Sequence, residues 1–281
     1  MKLLLRPFTR RWLLTSLLVV AATIVLVRLG IWQLDRLAAR RAFNSRVTSQ
    51  VSQPVLNLNE AVSLAGELNL EALPAMEYRQ VVASGVYDFS QEIALRNQVW
   101  HDQYGVHLLT PLRIKDSDLT VMVDRGWIPG SDFYAGESAG EWPQFAEPGL
   151  VTVTGVIRQQ QIKPDFGRIS DPTPVPGQGR LVAWNLSNLE QMQRQLPYPI
   201  LSVYIQQSPD PVWTGMPYRR EPNLELTEGP HLGYAIQWFT FAGILFLGYP
   251  FFIHRDEQRS HKEQANNKID KSNTLEIHAH G

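Results

Sequence analysis

The residues able to do chemistry in this 281-residue chain are few in kind. It contains no cysteine, which excludes disulfides, thiolate nucleophiles and cysteine-ligated metal sites. It has seven histidines in unequal settings. His231 opens an uncharged apolar run, so its imidazole sits where polar chain meets apolar chain and can donate, accept or ligate. On residue type alone, the plain reading is an interfacial histidine in contact with water. His101 and His107 fall in strand-like sequence, His254 at the far end of the apolar run, and His278 and His280 in a polar tail where solvated imidazoles are expected. Asp124 and Arg125, within VMVDRGWIP, could act as a functional pair, but opposite charges flanking a strand end are expected to form a local ion pair that supports the fold. No G-x-S-x-G elbow, H-E-x-x-H pair, P-loop or dinucleotide fingerprint occurs, so no enzyme activity is expected.

The elements that position these residues begin with two apolar runs. Residues 231–253, HLGYAIQWFTFAGILFLGYPFFI, are uncharged after the first position and long enough, at about 1.5 Å per residue, to cross a bilayer as a helix. Tyr234, Trp238 and Tyr249 fall near its two ends, where amphipathic rings favour the water boundary. Residues 12–32 form a first expected span after the basic cytoplasmic segment 1–11, and no small-residue cleavage pattern follows it, so a retained anchor is expected. Lys2, Arg6, Arg10 and Arg11 before the first span, and Arg255, Arg259 and Lys262 after the second, place both termini in the cytoplasm and the large middle region outside. Arg28 is expected to snorkel to the interface, and the basic face of residues 32–46, with Arg36, Arg40 and Arg41, to be solvated, the alternative being contact with anionic headgroups or an acidic partner. A net charge of −1 provides no basic field for nucleic acid.

Between the spans, residues 33–77 read as a helical connector, with a short capped helix from Asn59 to Gly66. From residue 78 to 208 the period changes to two. Val151, Val153, Gly155 and Ile157 share one strand face, as do Leu201, Val203 and Ile205. Further strands are expected at residues 80–87, 92–97, 106–114, 119–127 and 180–185. About seven short strands with one or two short helices predict a mainly antiparallel sheet curled into a barrel or sandwich. One of those helices is expected at 187–195, with a Ser187/Glu190 capping box and Pro197 as its stop. The fold class is therefore membrane α + β, two transmembrane helices flanking an extracytoplasmic β domain. Residues 129–149 form an acidic, aromatic-rich stretch, read either as a docking loop or as a segment whose aromatics fold onto the barrel. Residues 209–230 are expected to be an extended, Pro-rich connector, and residues 254–281 a disordered cytoplasmic tail.

Several short motifs carry a family resemblance. Leu29-Gly30-Ile31-Trp32-Gln33-Leu34-Asp35-Arg36 resembles the LGxWQxxR signature of the surfeit-locus family of cytochrome c oxidase assembly proteins. Gly85-Val86-Tyr87, Tyr104-Gly105, Thr110-Pro111-Leu112, Val123-Asp124-Arg125-Gly126-Trp127-Ile128-Pro129 and the closing His231 with Tyr234 to Phe239 are similar to that family's later motifs, in the same order. The resemblance covers roughly residues 30–241; the chain departs from the family at Gly229 and Asp124, where Asn is common. It implies a bacterial, multi-pass protein of the cell (inner) membrane that helps build haem-copper oxidases. The implied cofactor is haem a, bound transiently for the main oxidase subunit, with His231 as its axial ligand and no metal beyond haem iron. Implied partners are that subunit, other oxidase assembly factors and the lipid bilayer. The rival expectation is a haem-independent scaffold that stabilises an early oxidase subunit complex. Gly30, Trp32, Gln33, Arg36, Arg125, Gly126, Trp127, Tyr234 and Trp238 are the family-motif positions, with partner contact as one role for them.

Overall fold

The computed structural model describes residues 11–63, 70–137, 140–164, 167–175 and 179–279. It divides into two compact units, Ser45–Glu225 and a second formed by Met1–Asn44 with Leu226–Gly281.

The second unit is built on two long helices. Helix α1, Leu13–Val51, is rich in Leu, Val, Ala and Ile and free of proline, so the expected span and the helical stretch after it are one continuous element. Pro54 stands beyond its end. Helix α5, His231–Ala279, starts at the histidine itself. Both are long and apolar enough to cross a membrane. Leu17, Leu18 and Ile24 on α1, with Ile244, Leu247 and Phe251 on α5, remain exposed, as lipid-facing side chains would. The tail expected to be disordered is instead a continuation of α5. Good helix formers such as Glu257, Gln258, Lys262 and Glu263 carry the helix onward, and Gln258 donates to His254 one turn earlier at 3.0 Å.

The first unit is a β barrel. Its strands are β1 Leu56–Asn57, β2 Gln80–Tyr87, β3 Ile93–Trp100, β4 Gln103–Ile114, β5 Thr120–Pro129, β6 Leu150–Gln159, β7 Ala183–Trp184 and β8 Ile200–Gln207. The pairings β2–β6, β6–β8, β8–β5, β5–β4 and β4–β2 close a ring of five strands, antiparallel throughout except where β5 runs parallel to β8. Strand β4 bends across two roles: Leu112 to Ile114 close the ring against β2, while Gln103 to Leu109 pair with β3. The expected alternation holds inside the ring. Val81 and Ala83, Leu112 and Ile114, Val121 and Val123, Val153 and Ile157, and Leu201, Val203 and Ile205 form one core. The strand expected over residues 180–185 is reduced to the two-residue β7.

Among the described residues, three short α-helices flank the barrel: α2 Leu58–Ser63, α3 Gly130–Glu137 and α4 Leu189–Gln193. The caps differ from expectation by one or two residues. Asn57 caps α2, taking the Glu60 N–H and donating to its carboxylate, while Asn59 is occupied by the backbone of Ser84. The expected end of that helix, Gly66, lies outside the described residues. Asn188, not Ser187, caps α4 by accepting from Gln191 N, and Ser187 Oγ takes the N–H of Gln161. The acidic stretch contains α3 and a short 3-10 turn, Pro143–Phe145; its Phe133, Trp142 and Phe145 pack with Val106, Leu108 and Ile128 of the sheet.

Candidate functional site

Helices α1 and α5 pack antiparallel, as the order of their contacts shows. Arg11 meets Asp256 at 3.4 Å, Ser16 meets Tyr249 at 2.9 Å, Gly30 lies against Phe239, Gln33 meets His231, and Arg41 forks onto Glu228 with two bonds of 2.8 Å. Arg41 holds the Glu228 carboxyl below its ordinary range, chiefly through that hydrogen bond. Arg40 donates to the Thr227 carbonyl and Asn44 to that of Leu226, so the chain entering α5 is tied to α1. Leu37, Ala235 and Ala242 are buried in this pair.

Gly30 permits the close approach. A Cβ there would stand 2.7 Å from the Phe239 ring. One turn further out, His231 Nδ1 and Gln33 Oε1 are 2.9 Å apart. An amide oxygen only accepts, so Nδ1 carries the proton, and in the neutral ring this tautomer places the lone pair on Nε2. This is the tautomer and the outer hydrogen bond that fix a ligating imidazole. Gly229 contributes at the same edge: its φ of +69° lies in the left-handed region, and a Cβ added to it would sit 3.6 Å from Nε2. The departure from the family pattern at Gly229 thus leaves the Nε2 edge of the ring without a neighbouring side chain from that position.

The structure brings Gly30, Gln33 and His231 together and leaves the other helix-borne motif residues around them. Trp32 and Tyr234 are about half exposed, Arg36 is exposed, and Trp238 is partly buried with its ring edge-on to Phe241 at 6.2 Å.

Arg125, Gly126 and Trp127 belong to the barrel unit and serve its construction. Arg125 is fully buried; it donates to Glu92 at 2.9 Å, to Glu147 at 3.0 Å and to the Phe145 carbonyl, between the rings of Tyr87 and Phe89. It therefore clamps the acidic stretch to the barrel. Burial pushes the Glu92 carboxyl above its usual range against the pull of Arg125. The expected Asp124–Arg125 ion pair does not form, because neighbouring strand residues point to opposite faces. Asp124 instead takes His107 Nδ1 at 2.8 Å and the Gly126 N–H at 3.1 Å. Gly126, with φ +121°, brings the strand against Tyr218, whose ring stacks with Trp127 and Trp100. Sequence reasoning missed Glu92 and the His107–Asp124 pair; their only signal was charge inside strands that otherwise read as core.

The model of the SURF1 family matches residues 20–243. A SURF1-like protein of Caenorhabditis elegans is 25% identical over 265 residues, covering 87% of this chain and 75% of the relative. An uncharacterized SURF1-like protein of Mycobacterium tuberculosis is 25% identical over 263 residues, covering 93% and 89%. A SURF1-like protein of Rickettsia bellii is 23% identical over 261 residues, covering 92% and 98%.

Proposed function

We propose, since the chain belongs to the SURF1 family of cytochrome c oxidase assembly factors, that it binds haem a transiently at His231 and assists its insertion into the main oxidase subunit. The observation that carries this reading is the His231–Gln33 hydrogen bond, which in the neutral ring leaves the lone pair on Nε2, at the outer end of two apolar helices. Haem iron takes such a nitrogen as an axial ligand. The residues present fit that cargo. Gln33 orients the ring, and Tyr234 and Trp238 offer aromatic surface on the apolar side of it. Bound there, haem would supply an iron centre with a coordination position for the imidazole. The chain's own part is to hold, orient and release, which needs no catalytic group.

The two exposed apolar helices support a multi-pass protein of the bacterial cell membrane, with basic flanks that favour cytoplasmic termini and an outer barrel. Its partners in this reading are the main oxidase subunit and other oxidase assembly factors. The test is a visible spectrum of the full chain purified from cells that make haem a. A Soret band with near-stoichiometric haem is expected. Haem-free protein that still supports oxidase assembly would favour the scaffold role.

A further inference from the structure

The helix pair has two sides, and the motif residues around the site lie on one of them. Gly30 and Leu37 mark the buried seam of α1, and Ala235 and Ala242 that of α5. At about 100° per residue, Gln33 lies about 50° off the α1 seam and Arg36 about 110° in the same sense. On α5, His231 lies about 30° off its seam, Trp238 about 50° and Tyr234 about 90°, again in one sense. Because Gln33 and His231 touch, those two flanks are the same side of the pair. Arg36, Tyr234 and Trp238 therefore lie on one flank of the pair, the flank on which the histidine sits.

Depth along the helices orders this flank chemically. Arg36 stands about 4.5 Å outward of Gln33, whereas Tyr234 and Trp238 stand about 4.5 and 10.5 Å inward of His231. Arg36 also differs from its neighbours. Arg40 and Arg41 are tied to the chain that enters α5, while Arg36 has no hydrogen bond or ion pair among the described residues and is exposed. A cation at the wet end, a ligating nitrogen in the middle and aromatic rings at the apolar end match a flat, apolar ligand with acidic groups on one edge.

We propose that Arg36 is the carboxylate-binding residue of the His231 site and selects a porphyrin that carries free propionates. This rests on the haem reading above. A guanidinium takes a carboxylate through two parallel N–H donors, which gives orientation as well as attraction. It would turn the porphyrin so that its acidic edge faces water and its apolar edge lies along Tyr234 and Trp238.

The test titrates the full chain, in nanodiscs of zwitterionic phosphatidylcholine, with haemin and with haemin dimethyl ester, read by the Soret shift. The wild-type protein should prefer the free acid by about tenfold. Arg36→Gln should bind both porphyrins with the weaker, ester-like affinity, and Arg36→Lys should keep part of the preference. Helical content by circular dichroism should be unchanged in both variants, since an exposed, unpaired side chain is replaced. An Arg36→Gln protein that keeps the tenfold preference would overturn the proposal. So would an effect of Arg36→Gln seen only in discs containing anionic lipid, which would assign the residue to headgroups. Wild-type protein that binds neither porphyrin would mean that the haem reading itself has failed, whereas binding of both with the preference intact in Arg36→Gln removes only the role of Arg36.

Discussion

His231 Nδ1 donates to Gln33 Oε1 across 2.9 Å, although the two residues are 198 positions apart. The bond joins the signature of the first helix to the first residue of the second, and it decides which nitrogen of the imidazole is available. Replacing Gln33 by Leu should leave the protein inserted and folded but weaken haem binding by about ten- to a hundredfold, the usual scale for losing an outer hydrogen bond to a ligating histidine. Gln33→Glu, which keeps an acceptor, should retain binding. Equal affinity in Gln33→Leu and wild type would show that the bond does not prepare the ligand.

The contact of Gly30 with Phe239 predicts a compensating pair. Gly30→Val should loosen the helices, because its Cβ would overlap a ring only 2.7 Å away. Phe239→Ala in the same chain should restore packing by removing that ring. Cross-linking of cysteines engineered at Ser16 and Tyr249, whose side chains meet across the two helices, with a short bifunctional thiol reagent reads the effect: reduced in Gly30→Val, recovered in the double variant. Failure of the second change to recover it would contradict the close-approach role of the glycine.

How much of this was legible beforehand follows from the range of each interaction. The two apolar helices declare themselves by composition, and the strands by the period-two runs, as at Leu201, Val203 and Ile205, all buried in one core. Local sequence also contained the true cap of α2, since Asn57 and Glu60 have the spacing of a capping box, but Asn59 competed with it until its tertiary partner Ser84 was known. Barrel closure between β2 and β4 was hidden, because it joins non-adjacent strands through three residue pairs. The partner of Asp124 was hidden for the same reason: His107 lies on the neighbouring strand, and only the pairing of β4 with β5 brings it there. At the candidate site, motif resemblance singled out Gly30, Gln33 and His231, while the contact of Gly30 with Phe239 and of Gln33 with His231 needed the helix pair.

Burial of Arg125 predicts a stability effect with a pH signature. Arg125→Met should cost about 3–5 kcal/mol by leaving Glu92 without its cation. Burial already raises the native Glu92 value, so the folded state keeps this proton to higher pH than the unfolded chain. Stability therefore falls as pH rises from the unfolded value, about 4.3, through the native one. Loss of Arg125 raises the native value further, and the variant's Tm should drop more steeply than that of wild type over roughly pH 5 to 8. Parallel profiles for the two proteins would contradict this assignment.

Membrane orientation predicts the fate of reporter fusions. A periplasm-active reporter inserted at Gly66 should be active, and one fused after Gly281 inactive, given the basic flanks of both apolar helices. Activity at both positions, or at neither, would rule out two crossings.

The spectrum of the His231 variants tests the central claim most directly. In the full chain purified from cells that make haem a, His231→Ala should lose the haem signal with expression and membrane insertion intact, because one partly exposed side chain at a helix start contributes little to folding. His231→Met should shift the spectrum rather than erase it, since a thioether also ligates haem iron. His101 and His254 are the controls, and their Ala variants should keep any haem the protein carries; His107 is no control, because it is buried against Asp124 and its loss would destabilise the barrel. A His231→Ala protein with the full wild-type haem spectrum would contradict the account.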